Sequence, residues 1–209
     1  MRITEKIEIS LTKNIPSEAG LGGGSSDAGF FLKLLNEHYG YVYNEKELEE
    51  LAMKVGSDVP FFIKNKTARV GGKGNKVELV ENNLKDSLIL VKPLGFGVST
   101  KDAYDSFDEL DEVRYSNFEK IVECLRNDNR KDLEKYIENG LEQGISERNA
   151  DIKIFKAILN SVVPGKKFFM SGSGSTYYTF VTEIERSQIE TRLRTFVDNV
   201  KIIISKTIN

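Results

Sequence analysis

Four glycines fall within the five residues Gly20-Leu21-Gly22-Gly23-Gly24, and an amphipathic run follows them at once. Glycine lets backbone N–H groups converge and approach a ligand closely, and a helix start adds unpaired donors and the positive end of its dipole. A loop of that kind suits a di- or triphosphate. Upstream, Ile7, Ile9 and Leu11 alternate with Glu8, Ser10 and Thr12, the period of a strand with one buried face. Downstream, SSDAGFFLKLLNEHY sets Ala28, Phe31, Leu32 and Leu35 on one helical face, and Gly40 stands where a helix C-terminus needs it. The predicted order is strand, glycine loop, helix. No Lys-Ser or Lys-Thr pair follows the last glycine, and Ser25 takes the place of the last glycine of GxGxxG, so the two common nucleotide-loop patterns are excluded. The bland alternative is a flexible turn with Ser25 or Ser26 as helix cap and Asp27 as a first-turn acid.

Composition narrows the chemistry further. The 209 residues are 39% hydrophobic and 30% charged, enough for a folded core. Thirty Lys and Arg stand against 32 Asp and Glu, a net charge of -2, which gives no basic field for nucleic acid or an anionic membrane. No apolar run approaches the roughly 20 residues that span a bilayer, and MRITEKIEIS lacks the pattern of a signal peptide, so the expected location is cytoplasmic. Cys124 is alone, in the helix-like run NFEKIVECLR, and reads as a buried thiol. His38 is the one histidine, and no nucleophile elbow accompanies it. Any metal must then be a hard cation such as Mg²⁺, held by oxygens and by a substrate's phosphates.

Along the rest of the chain, Asn44 with Glu47 three residues on marks a helix with an apolar stripe at Leu48, Leu51, Ala52 and Val55, stopped by Gly56. Strand-like runs at 67–70 and 76–80, joined by GGKGN, read as a hairpin, and ENNLKD is the best candidate linker. The second half begins with the strand SLILV at 87–91, followed by helices near 101–108, 116–127, 130–141 and 150–162. KKFFM and TYYTFV flank the turn SGSGS, a helix covers 183–198, and KIIIS closes as a strand. That order predicts an α+β sandwich.

Two further segments carry candidate chemistry. In Gly56-Ser57-Asp58-Val59-Pro60-Phe61-Phe62 a carboxylate stands between a helix-ending glycine and an apolar run. Partly desolvated at a cleft, Asp58 would serve as a general base toward a hydroxyl; an Asp two residues before Pro is also a common turn or cap residue. Ser171-Gly172-Ser173-Gly174-Ser175 clusters small residues at a hairpin tip.

In this order, PSEAGLGGGSSDAG, GSDVPFF and SGSGS resemble the three motifs of the GHMP small-molecule kinases, as do VSTKDAY at 98–104 and NGLEQ at 139–143, which echoes the family's Asn-Asp-Leu-Glu. The resemblance is strongest to the branch that phosphorylates the 2-hydroxyl of a cytidine-diphosphate-linked methylerythritol in non-mevalonate isoprenoid synthesis, with mevalonate-, homoserine- and sugar-type kinases as the alternative. It implies a two-domain α+β fold. Residues 1–85 would form an ATP-binding N-terminal domain related to the ribosomal protein S5 domain 2-like fold, and 86–209 a ferredoxin-like C-terminal domain. By the same resemblance, Pro16, Ala19, Gly20, Leu21, Gly22, Gly23, Gly24, Ser25 and Ser26 would wrap the ATP phosphates, with Ser26 also near Mg²⁺. Gly172, Ser173 and Gly174 would approach the phosphates from the C-terminal domain. Asp58 would be the catalytic base, and Thr100 and Tyr104 would meet the small-molecule substrate.

Only fifteen residues precede Pro16, where the family carries a longer segment with a Pro-x-Lys-Ile-Asn-Leu strand. Lys13 reads as an ordinary basic residue before the loop, so the role of that strand's lysine is not carried onto it. Gly72-Lys73-Gly74-Asn75 also departs from the family's Gly-Glu ending. The expectation that follows is a truncated first domain with an uncovered sheet edge and apolar helix faces, leading to homodimerisation or poor solubility, with a catalytically incomplete nucleotide-binding fragment as the alternative to a kinase.

Overall fold

The computed structural model describes residues 5–207. The chain is α+β and divides into two compact units, Met1–Ser17 with Gly22–Val80, and Glu18–Leu21 with Glu81–Asn209. The first unit therefore ends at Val80, and the second takes in four residues of the glycine loop.

In the first unit, α1 (Gly23–His38), α2 (Glu45–Met53) and α3 (Val59–Lys64) surround a small core of Leu48, Ala52, Val59 and Ile63, against which Ala28, Leu32 and Tyr43 pack. The Asn44 and Glu47 capping box is complete, each side chain accepting from the other's backbone N–H, at 3.0 and 2.8 Å. β1 (Ala68–Gly71) and β2 (Lys76–Leu79) form the antiparallel hairpin expected around GGKGN.

Two expectations fail in this unit. Residues 7–11 are irregular, and Ile7, Ile9 and Leu11 are exposed, because alternation makes a strand only where a neighbouring strand can take its hydrogen bonds. Nor do Ser25 or Ser26 cap α1. The helix starts at Gly23 with Gly22 at the cap, φ 62°, so Asp27 lies beyond the first turn and is paired with Lys13 instead.

The second unit is built on a four-stranded antiparallel sheet, order β4-β5-β3-β6, from β3 (Ser87–Pro93), β4 (Phe169–Met170), β5 (Tyr177–Val181) and β6 (Val200–Lys206). In chain order, a strand, a helical stretch, two strands, a helix and a strand give the ferredoxin-like arrangement. The helical stretch comprises α4 (Thr100–Asp108), α5 (Phe118–Arg126), α6 (Arg130–Tyr136), α7 (Gly140–Arg148) and α8 (Ala150–Val162), and α9 (Glu183–Phe196) joins β5 to β6. β3 is the central strand, and Ile89 and Val91 on it are fully buried beside Ile152, Leu159 and Leu193.

The helix expected over 130–141 breaks in two here: α6 ends at Tyr136, Ile137 is extended, and Asn139 caps α7 with its own side chain. ENNLKD does not behave as a free linker. Asn83 donates its backbone N–H to Leu125 at 2.9 Å and its side-chain amide to the Arg126 carbonyl at 2.9 Å, and Leu84 is only 1% exposed in a second cluster with buried Cys124. No helix among the described residues is long and apolar enough to cross a membrane.

Candidate functional site

The first unit presents the second half of the glycine loop and Asp58. Gly22 sits in the left-handed region, and a Cβ there would lie 2.9 Å from the Phe62 ring. Ser26 donates its backbone N–H to Gly22 at 2.8 Å, closing the first turn. No side chain caps α1, so the amides at its start remain available to a ligand. A Cβ at Gly23 would press on Ile15 at 3.0 Å, whereas one at Gly24 would meet nothing within 4 Å. Gly24 is thus bare on a surface that has room for a side chain.

Asp58 occupies the cap position of α3, with φ -90° and ψ -11°, yet its carboxylate makes no capping hydrogen bond. It is exposed on its own unit, while Val59 and Pro60 beside it are buried. The turn expectation is right about backbone position and wrong about the side chain; the desolvated setting is absent, because α3 buries its apolar residues and leaves the acid outside. The β1–β2 tip reaches this point. A Cβ on Gly74, φ 93°, would lie 1.9 Å from the Ser57 carbonyl oxygen. Sequence reasoning missed that contact, although the three glycines of GGKGN were its signal.

The second unit holds the first half of the glycine loop against the SGSGS turn. Ser171 donates its hydroxyl to the Gly20 carbonyl at 2.8 Å. The Ser175 and Thr176 N–H groups donate to Glu18 and Ala19 at 3.3 and 3.4 Å, and Ala19 is buried. Gly20 has φ 66°, and a Cβ there would stand 2.0 Å from the Ser171 carbonyl oxygen. Gly172, φ 52°, approaches Gly20 from the other side, its Cβ position being 2.9 Å from the Gly20 oxygen. Two glycines face each other because neither position tolerates a side chain.

Lys92, at the end of β3, supports this turn from below. It is 5% exposed, and its Nζ donates to the carbonyls of Pro93 and Phe96, at 2.9 and 3.2 Å, and to the Ser175 hydroxyl at 2.7 Å. Burial pulls the Lys92 ammonium below the usual lysine range, and the Glu18 carboxylate opposes that shift. Sequence reasoning overlooked Lys92; its signal was a lysine inside the apolar run SLILVKP.

Thr100 comes within 3.3 Å of Ser173, hydroxyl to hydroxyl. Tyr104, one turn along α4, is exposed and lines a cavity of about 600 Å³ with Phe107, Tyr115, Phe118, Tyr178 and Gly172. The candidate substrate residues of the second unit thus adjoin its SGSGS turn. Pro16, Ser25 and Ser26 lie in the first unit, each half-buried.

Comparison with known proteins bears on the same segments. The family model described as GHMP kinases N terminal domain matches residues 1–66. A 4-diphosphocytidyl-2-C-methyl-D-erythritol kinase from Fusobacterium nucleatum is 78% identical over 205 residues, covering 98% of this chain and 70% of that protein. The chain belongs to the GHMP kinase family. An enzyme of the same name from Clostridium beijerinckii is 34% identical over 187 residues, covering 90% of this chain and 66% of that protein. The chain spans about two thirds of the length of the relatives it matches. A crystal structure titled 4-(cytidine 5'-diphospho)-2C-methyl-D-erythritol kinase superposes with TM-score 0.73 at 26% identity, over 93% of this chain and 68% of that one. A homoserine kinase from Cytophaga hutchinsonii, at 16% identity and TM-score 0.70 over 94% of this chain and 68% of that one, shares the fold. These relatives are small-molecule kinases, and the expected α+β fold of the family is the one observed.

Proposed function

We propose that this GHMP kinase transfers the γ-phosphoryl of ATP to the 2-hydroxyl of 4-diphosphocytidyl-2-C-methyl-D-erythritol, a step of isoprenoid synthesis. The observation that carries this reading is the 78% identity to a kinase of that name, which extends over 98% of the chain. In this reading Asp58 accepts the hydroxyl proton as the oxygen attacks the γ-phosphorus, and ADP departs. Its carboxylate makes no capping hydrogen bond on α3 and so is open to accept a proton, which supports that role. The amides from Gly22 to Ser26 bind phosphate oxygens, which the uncapped start of α1 supports. Pro16, Ala19, Gly20 and Leu21 complete the loop, and Gly172, Ser173 and Gly174 are the second glycine segment to contact the nucleotide. Thr100 and Tyr104 meet the cytidine end of the substrate, supported by the aromatic cavity beside them.

The residues present fit a Mg²⁺ ion carried by the nucleotide. Ser26 donates its own proton to the Gly23 carbonyl at 2.8 Å and so keeps its lone pairs as acceptors, and among the described residues no cluster of three or more His, Cys, Asp or Glu could hold a metal alone. Ser26 would hold it together with the phosphates, and the bound ion would offset charge on the transferring phosphoryl. The reaction is assigned to the cytoplasm, the compartment that supplies ATP. A second copy of the chain is the one protein partner proposed, through the exposed Ile7, Ile9 and Leu11.

The test is product analysis with Mg-ATP and a panel of this substrate, mevalonate, homoserine and a sugar. Phosphorus NMR is expected to show a new monophosphate ester only with the cytidyl substrate; preference for another member of the panel would overturn the assignment.

A further inference from the structure

Asn139 makes three hydrogen bonds, and only one belongs to its helix. Its Oδ1 accepts the Glu142 N–H at 3.2 Å and so caps α7. Its amide nitrogen donates to the carbonyls of Met170 and Gly172, each at 2.9 Å, which no cap requires. Those carbonyls flank Ser171, the residue whose hydroxyl holds Gly20. The same helix also fixes Met170 from its other side. Glu142 is 8% exposed, and its carboxylate accepts from the Met170 N–H at 3.4 Å, from the Tyr177 hydroxyl at 3.0 Å and from Lys156 at 2.5 Å. A buried acid thus anchors α7, and Asn139 transmits that anchor to the backbone of 170–172.

We infer that Asn139 is a positioning residue of the nucleotide site, its amide setting the 170–172 backbone so that Ser171 keeps Glu18–Leu21 in the conformation that receives phosphate. This rests on the kinase reading for the identity of the ligand. The clamp itself rests on the hydrogen bonds alone.

Capping and clamping are separable by substitution. Asn139→Ser and Asn139→Asp both retain a capping oxygen, and neither can supply an amide to the two carbonyls. Both variants are expected to raise KM for Mg-ATP by about tenfold while kcat changes by less than about twofold. In the absence of ligand, both should speed hydrogen exchange at the Ser175 and Thr176 amides by about tenfold. A residue that only caps α7 would move neither readout. Unchanged exchange overturns the clamp, and faster exchange with an unchanged KM overturns its role toward the nucleotide. Failure of the unsubstituted chain to bind Mg-ATP would defeat the kinase reading, and the exchange measurement would still decide the clamp.

Discussion

Ser171 and Gly20 are 151 positions apart in the chain, and the hydroxyl of the first donates to the carbonyl of the second at 2.8 Å. That bond ties the start of the glycine loop to the SGSGS turn, with Gly172 and Gly20 in mutual contact around it. Two glycine-rich loops are thereby held at backbone contact, and their amides are the donors proposed to meet phosphate. Preorganised donors of this kind are what phosphoryl transfer requires of a protein.

Gly20→Ala should fail both structurally and functionally. Its Cβ would overlap the Ser171 oxygen at 2.0 Å, in a conformation that also disfavours any side chain. A loss of roughly 1–3 kcal/mol of stability is expected from denaturant unfolding, with Mg-ATP binding reduced beyond detection in calorimetry.

Gly24→Ala should separate folding from binding. Nothing stands within 4 Å of the added carbon, and alanine favours a helix over glycine by up to about 1 kcal/mol. The unfolding midpoint should hold or rise. If a phosphate approaches this backbone as proposed, KM for ATP should increase by about tenfold, and an unchanged KM would remove Gly24 from the site.

Lys92→Met keeps the length of the side chain and removes its three donated bonds, which leaves the Pro93 and Phe96 carbonyls and the Ser175 hydroxyl without that partner. About 1–3 kcal/mol of destabilisation is expected by chemical denaturation. Nucleotide affinity should fall as well, since Ser175 borders the turn that holds Glu18.

Acid should weaken the protein through Glu185. Burial works against its charge, yet the Thr182 N–H at 3.0 Å and Lys166 at 2.9 Å hold the Glu185 carboxyl down to about 2 from 4.5. Because the folded state binds the proton less tightly than the unfolded one, this contribution is complete above 4.5 and is lost as pH falls toward 2. Unfolding midpoints measured across that range should fall less steeply in Glu185→Gln.

The parts of the fold that were legible from sequence are those fixed by local chemistry. Asn44 with Glu47, the GGKGN hairpin and the apolar run from Ser87 each settle their own backbone. Where an outcome depended on distant residues, the sequence misled. Ile7, Ile9 and Leu11 alternate like a strand and form none, and a helix expected through residue 141 ends at Tyr136, while Asn139 beyond it engages carbonyls 31 and 33 positions away. For the candidate site, the glycines of the first and third motifs marked the two segments that the structure brings into contact. The docking of Glu18–Leu21 on 171–176 left no local pattern, and the lysine inside SLILVKP did not show that it meets Ser175, 83 positions away, because tertiary structure alone assembles those pairs.

The central claim is phosphoryl transfer with Asp58 as the base, and ADP release is its most direct measure. The purified chain with Mg-ATP should release ADP only when 4-diphosphocytidyl-2-C-methyl-D-erythritol is added. Asp58→Asn should lower kcat by about a hundredfold or more while leaving KM for ATP near that of the unsubstituted chain. Substrate-dependent release that persists in Asp58→Asn, or no substrate-dependent release from the unsubstituted chain, would contradict the account.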